Sequence, residues 1–431
     1  MDVRRSLHQG FRKAFSFLPR DVRFAVYRSF VECDANPDKR LVLKIAETKE
    51  ELEACFKLLH DAYVSSGFMM PDPSCMRATI YHALPTTTTL CAKFDGEVVG
   101  TISLIRESLF GFPLQAIFDL SQVRTHKGNI AEVSALAVHP KFRKTGGTIL
   151  FPLMKFMYNY CTTYFDTRHL VIAVNPNRIE MYESLLFFQR LNENFVANYD
   201  FANGAPAVGA TLDLFHAPNV FKLAYEQKKP QKNLHQYFVK TVLPNIVEPN
   251  RRYFTTNDPV MTPELLDYFF NQRTRVFANL EERKKGLLHD IYNLPAYKDV
   301  LPGMRTGRPS EYQHREHERY SVKCPGTFEV TSANHQEPFK VMIIELSAFS
   351  FQAICKTNLP LNAWGEANIQ LGQNEKSHIK VMVINDRETQ LGKSFTFKLS
   401  EPDLAWRKFF NALNAGITHD DLENATRFLP Q

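Results

Sequence analysis

The chain has 431 residues, a formal net charge of +6, 44% hydrophobic and 23% charged side chains, which excludes a disordered or fibrous protein and allows two or three cores. It contains no run of 18 apolar residues, which excludes a membrane-spanning helix, and its N-terminus lacks the apolar stretch of a secretion signal. The seven cysteines follow neither disulfide-framework nor zinc-ligand spacing, so reduced thiols, a cytoplasmic protein and no metal site are expected.

Residues 1–30 hold seven basic and two acidic side chains, interleaved with Phe11, Phe15, Phe24 and Phe30. Residues 1–40 read as a basic amphipathic arm. Such an arm can lie on an anionic membrane surface, giving a peripheral location, or dock an acidic protein. The alternative is that its apolar face packs on the next domain. Most of the positive charge is in this arm, and the remaining basic residues show no nucleic-acid reading motif, so no nucleic acid polymer is expected as partner.

From residue 41 the pattern becomes that of an α/β domain. Residues 41–46 read as a strand and 48–63 as a helix, with Thr48 as cap, Glu51 three positions on, and Leu52, Cys55, Phe56 and Leu59 at helical spacing. Residues 89–94 and 98–105 form a hairpin about Asp95-Gly96. A strand over 128–138, a basic glycine loop over 139–148, a helix over 149–164, a strand over 169–174, a helix over 177–187 and a last strand before 214 complete a mixed central sheet. Residues 215–310 read as a helical extension or connector, with apolar helical patterns over 263–277 and 280–292. From 311 to 415 come short alternating strands (320–324, 326–331, 339–344, 351–355, 365–371, 378–384 and 394–399), then a closing helix over 402–413. These describe a small β-barrel followed by a tail over 416–431. Phenylalanine is abundant, at 35 residues. Aromatic cores account for it; the alternative is that some rings line a tunnel for a long apolar ligand.

The chemistry concentrates in the segment from Ile130 to Thr148. A strand with an embedded acid, Glu132, ends in a loop carrying Arg143, Lys144, Thr145, Gly146, Gly147 and Thr148, and the loop opens a helix. Glycines let backbone amides converge, a helix N-terminus favours anions, and two cations add to the field. The loop suits the pyrophosphate of coenzyme A or the phosphate of a carrier-bound pantetheine.

This segment resembles the central motif of the GNAT superfamily, Arg/Gln-x-x-Gly-x-Gly/Ala, matching at Arg143 and Gly146 with Thr148 at the last position. Residues 41–200 resemble more closely the N-acyl amino acid synthases of FeeM type, relatives of the acyl-homoserine lactone synthases. The run MRATIYHALP from Met76 to Pro85, the strand at 98–105 and Glu132-Val-Ser-Ala-Leu136 carry this resemblance. It implies a GNAT-like fold and transfer of a long-chain acyl group from an acyl carrier protein, or from acyl-CoA, to the amine of an amino acid. The donor would be an acyl-phosphopantetheine thioester, and no tightly bound cofactor is implied. In homoserine lactone synthases an Arg often follows the Ser; here Ala135 stands there, which argues against adenosylmethionine chemistry.

Glu132 is the candidate general base, because amide formation needs a neutral amine. GNAT geometry implies that backbone amides near Leu136 and Val138 hold the oxyanion and that Tyr182 protonates the leaving thiolate. Asn175 is a candidate to orient water. Arg77 and Arg106 are candidates for the acceptor carboxylate, which the guanidinium fork suits, and Thr79 and His82 are further candidates to contact it beside Arg77.

Residues 313–413 resemble a PilZ domain, a barrel family that often binds cyclic di-GMP through Arg-x-x-x-Arg and Asp/Asn-x-Ser-x-x-Gly. Arg315 and Arg319 match the first signature. In the second only Ser347 is kept, with Glu345 and Ser350 at the flanking positions. Two rival readings remain: an acetyl-CoA-dependent GNAT acetyltransferase, and a non-catalytic receptor that responds to cyclic di-GMP.

Overall fold

The computed structural model describes residues 18–414, apart from 127, 144, 166, 250, 251, 256–260, 293–296, 305–319, 332–336, 390 and 391. Its first domain is built on β1 (Leu41–Ile45), β2 (Thr87–Phe94), β3 (Glu97–Arg106), β4 (Asn129–Val138), β5 (Thr167–Val174), β6 (Gln189–Arg190), β7 (Val196–Tyr199) and β8 (Ala205–Asp213). The strand order is β1-β2-β3-β4-β5-β8-β6, with β7 also on β8. All pairs are antiparallel except β4 with β5. Asp95 and Gly96 both take positive φ, 51° and 84°, as a two-residue hairpin turn of this hand demands.

Helix α1 (Arg20–Ser29) precedes the sheet, and α2 (Lys49–Ser65) follows β1. Thr48 caps α2, its hydroxyl accepting from the Glu51 amide at 3.2 Å. The buried Glu51 carboxylate also binds Lys44 and Lys93 at 3.0 and 2.8 Å, pinning α2 to β1 and β2. Helices α3 (Leu150–Tyr164), α4 (Pro176–Leu186) and α5 (Ala217–Tyr225) follow in chain order.

The chain beyond 214 does not hang between domains. Its first part packs into the core around α3: Phe221, Tyr225, Leu234, Tyr237 and Phe238 are buried there. Val247 then donates to the Leu43 carbonyl at 2.8 Å along the free edge of β1. The second part covers the other face of the sheet, where Phe269 meets Phe56 of α2 edge-on at 5.1 Å and Tyr292 is buried, bonding the Ala83 carbonyl. It includes α6 (Glu282–Ile291). Apolar periodicity marked these helices but carries no information about which layer receives them.

Arg20, Arg23 and Arg28 of the basic arm face α4. Arg23 pairs with Glu180 at 2.6 Å, Arg20 with Glu183 at 3.0 Å, and Arg28 donates to the Ser184 carbonyl at 2.9 Å. This part of the arm packs on its own domain, the plainer of the two expectations, and these three arginines have intramolecular partners. Arg4, Arg5, Arg12 and Lys13 lie outside the described residues. Among the described residues no helix is long and apolar enough to cross a membrane.

The C-terminal domain is a closed barrel in the order β10-β11-β14-β13-β12-β9: β9 (Tyr320–Val330), β10 (Phe339–Leu346), β11 (Ser350–Cys355), β12 (Trp364–Gln370), β13 (Lys376–Thr389) and β14 (Gly392–Leu399). The strands expected at 320–324 and 326–331 are one. Pro325-Gly326 looks like a turn but marks the point where β9, already paired with β10, begins to pair with β12 as well. A Cβ on Gly326 would stand 2.8 Å from the Asn368 carbonyl oxygen, so the glycine permits that approach. Helix α7 (Leu404–Asn414) closes one end with Trp406 and Phe409 fully buried.

Candidate active site

Strands β4 and β5 pair only from Asn129 to Glu132 and from Thr167 to Val171. Beyond that point they separate, although β4 continues to Val138 and β5 to Val174. A bulge drives the divergence. Between Ser103 and Thr101 of β3 the register of β4 slips, and Ala135 takes φ +54°, a conformation unusual for a residue with a Cβ. The wedge holds a cavity of about 240 Å³. Ser134, Ala135, Leu136, Asn175, Arg178 and Tyr182 form its more polar part, and side chains from α3, β5, β8 and α5 continue it as an apolar cleft.

Tyr182 is half-buried, with its ring edge-on to Phe188 at 5.9 Å. Burial raises its pKa, so it remains a protonated phenol at neutral pH. Arg178, one helical turn earlier, is exposed. Asn175 caps α4, its side-chain oxygen accepting from the Asn177 amide at 3.0 Å; its carbonyl oxygen is therefore committed locally.

Glu132 lies at the point where the strands part, but not on the cleft side. It pairs across from Ile105 on the face covered by Phe112 and Leu114. The carboxylate is 1% exposed and accepts from the Leu114 amide at 3.0 Å. Desolvation pushes its pKa up to about 8. Burial raises the Tyr81 and Tyr199 phenols, and the Glu132 charge raises them further. The Tyr199 hydroxyl is buried and has no hydrogen-bond partner among the described residues. Arg77 lies 4.1 Å above the Tyr63 ring and donates to the Phe201 carbonyl. Tyr63 also lines the cleft, as does Ser134, two positions after Glu132 on the same strand. Tyr63, Arg77, Tyr81, Glu132, Ser134 and Tyr199 thus form a polar cluster beside the bulge, and Tyr63 and Ser134 of this cluster also line the cleft.

Sequence reasoning singled out Glu132 and Arg77 but missed Tyr63, Tyr81 and Tyr199. Tyr81 lies in the quoted run from Met76 to Pro85. Tyr199 comes from β7, whose approach to β4 has no local signal. His82 is buried; its Nδ1 accepts from the Thr79 amide at 3.0 Å, and burial lowers its pKa to about 3, so it is neutral. Arg106 requires a correction. It pairs across from Ala131, on the opposite face from Glu132, where it donates to the Thr88 hydroxyl at 2.8 Å and the Pro85 carbonyl at 3.0 Å beneath Phe165. It stands apart from the polar cluster and braces the end of β3.

In the glycine loop, Gly146 and Gly147 take φ of +70° and +93°. A Cβ on Gly147 would meet the Phe151 ring at 2.5 Å. The Thr145 and Thr148 hydroxyls bond each other at 2.7 Å, and Arg143 reaches back to the Val138 carbonyl at 2.8 Å. Helix α3 opens with no side-chain cap. One neighbour carries the opposite charge: a Glu32 carboxylate oxygen lies beside Gly146. Lys144 lies outside the described residues, as do Arg315 and Arg319 of the barrel. Ser347 is 3% exposed; its hydroxyl accepts from the Ser350 amide at 3.1 Å, and its carbonyl accepts from the Trp406 indole at 3.2 Å. Among the described residues there is no group of three or more His, Cys, Asp or Glu side chains that could hold a metal ion.

Residues 54–213 match the family model of the N-acyl amino acid synthase FeeM. The match makes this segment similar to the N-acyltransferases of that family. Among solved structures, the chain is similar to FeeM, an N-acyl amino acid synthase from uncultured soil microbes, at 22% identity over 42% of this chain and 94% of that one, with a TM-score of 0.36. It is also similar to BjaI, a CoA-dependent acyl-homoserine lactone synthase, at 16% identity over 48% and 92%, TM-score 0.35. For Escherichia coli ElaA the values are 12%, 40% and 99%, TM-score 0.28. No curated protein matches the sequence. The FeeM-type segment ends at 213, whereas the cleft also uses Phe221 and Phe238, so the cavity extends beyond the matched segment.

Proposed function

We propose that this domain transfers a long-chain acyl group from a phosphopantetheine thioester to the amine of an amino acid. The observation that carries the reading is an apolar cleft that adjoins, through Tyr63 and Ser134, a polar cluster holding a high-pKa carboxylate. A long acyl chain needs the cleft; an acetyl group would leave most of it empty. The acceptor approaches the polar cluster with its carboxylate toward Arg77. Glu132 takes the ammonium proton, directly or through water, and a pKa near 8 suits a base facing an amine. The nitrogen attacks the thioester carbonyl, and the amides of Leu136 and Val138 beside the bulge hold the oxyanion. Tyr182 returns a proton to the thiolate, and Arg143 with the loop through Thr148 binds the phosphate. The exposed Arg143 and Arg178 favour an acidic acyl carrier protein as the donor's source over free coenzyme A.

Mass spectrometry of lipids from cells expressing the protein tests the reading. New N-acyl amino acids support it and identify acceptor and chain length. Their absence, with folded protein and abundant acyl carrier protein present, overturns it, and acetyl transfer becomes the next assay. The loop's role has its own expected result. In Gly147→Ala the left-handed backbone and the Phe151 contact together raise the donor KM by about tenfold, with a smaller change in kcat, measured by steady-state kinetics.

For the barrel we propose a PilZ-type docking module. Ser347 is held inside its own turn, and Glu345 and Ser350 replace the short acid and the glycine that cyclic di-GMP binding uses in the resembled family. Calorimetric titration with cyclic di-GMP is expected to give no saturable heat; a saturable isotherm would restore the receptor reading.

A further inference from the structure

The apolar part of the cleft includes a set of packed rings. Phe238 lies between Tyr158 of α3 and Phe221 of α5, with centroid separations of 6.3 and 6.1 Å, both edge-on. All three residues line the cavity. Phe238 is 7% exposed, and the next residue, Val239, also lines the cavity but is 38% exposed. The ring therefore stands between the interior of the cleft and the surface.

The backbone under this ring is unusual. Residues 236–240 form a single π-helical turn, a geometry that recurs at functional sites because it needs outside support. The support comes from Lys155 of α3, whose Nζ donates to the Phe238 carbonyl. Lys155 is 3% exposed. A methionine would fill that layer without the cost of burying an amine, so the lysine's contribution is its hydrogen bond to the π turn. The walls also include Met154 and Met157, flexible side chains that adjust to a chain. An aromatic ring flanked by two others adjusts far less.

We infer that Phe238, wedged between Tyr158 and Phe221, is the chain-length stop of the acyl cleft, and that Lys155 is the residue that positions it. The inference rests on the acyl-transfer reading above, and its test separates the two.

Binding of an even-numbered acyl-CoA series from butanoyl to octadecanoyl is measured calorimetrically on the full chain, alongside acyl transfer to amino acids. In the wild type each methylene raises affinity by about fourfold until a break, after which longer chains gain nothing. Phe238→Ala moves the break to longer chains by at least one two-carbon step, and Phe238→Trp moves it to shorter ones. Phe238→Leu serves if the alanine variant does not fold. Lys155→Met leaves the affinity of short chains unchanged and broadens the break, which a merely structural loss would not do. A break unmoved by both Phe238 variants, or no chain-length dependence in the wild type, overturns the inference. A wild type that shows the break but acylates no amine overturns the acyl-transfer reading and leaves the stop standing.

Discussion

Glu132→Gln lowers kcat by about 10²- to 10⁴-fold, the usual contribution of a positioned base. The size of the effect follows from placement. The carboxylate is enclosed, it accepts from the Leu114 amide, and none of its neighbours in the polar cluster is a second carboxylate. Glutamine keeps the shape and can keep accepting from Leu114, so the loss reports chemistry more than packing.

The pH profile sharpens the test. In the wild type kcat/KM climbs as pH rises toward about 8, where the buried carboxyl gives up its proton, and the glutamine variant lacks this limb. Stability moves the other way. The folded-state pKa lies above the ordinary value of 4.5, so between those two values the folded protein holds a proton that the unfolded chain has released. Stability from this group therefore falls as pH rises through that window. Above pH 8 the glutamine variant melts higher than the wild type, whereas well below 4.5 the difference vanishes. Thermal melts across this range check the sign. A variant that melted lower at every pH would mean that Glu132 is a packing residue.

Tyr253→Ala destabilises the barrel by about 3–5 kcal/mol, as expected for deleting a large buried ring. Tyr253 precedes the barrel in the chain but lies in its core, 2% exposed and 4.6 Å from Phe409. The strap around it is bonded on both sides. The Phe254 amide donates to the Leu371 carbonyl at 2.8 Å, and the Phe254 carbonyl accepts from Lys323 at 3.0 Å. Arg252 pairs with Glu375 at 2.9 Å. A Cβ on Gly372 would stand 1.7 Å from the Arg252 carbonyl oxygen, so only glycine lets the strap lie this close. Both tryptophans of the chain, Trp364 and Trp406, belong to the barrel domain. Tryptophan fluorescence therefore reports barrel unfolding alone, and calorimetry reports both domains. The expected result is an earlier fluorescence transition with the acyltransferase transition in place. A shift of both together would mean that the strap, which also borders β1 at Val247, makes the two domains one cooperative unit.

Much of this was readable from the sequence. Alternating apolar residues marked the strands, Thr48 and Glu51 marked the start of α2, Asp95-Gly96 required a turn with positive φ, and Gly146-Gly147 required a loop that only glycines enter easily. Each of these is a local demand, met within a few residues of chain, and such demands survive in a one-dimensional reading. The glutamate in a strand before a glycine loop was legible for the same reason.

The face on which Glu132 stands, the opposite face taken by Arg106, and the joining of Tyr81 with Tyr199 were decided by the tertiary structure. A bulge at Ala135 shifts the register of β4, and one slipped residue reverses the face of a side chain. The merging of two expected strands into β9, the insertion of Tyr253 into the barrel and the lining of the cleft by Phe221 and Phe238 were settled in the same way. The sequence by itself determined which segments are strands, helices and tight turns and where the reactive side chains fall along them. Only the tertiary structure decided which of those side chains meet, because the choice of partner depends on packing between segments up to two hundred residues apart, and no local pattern records it.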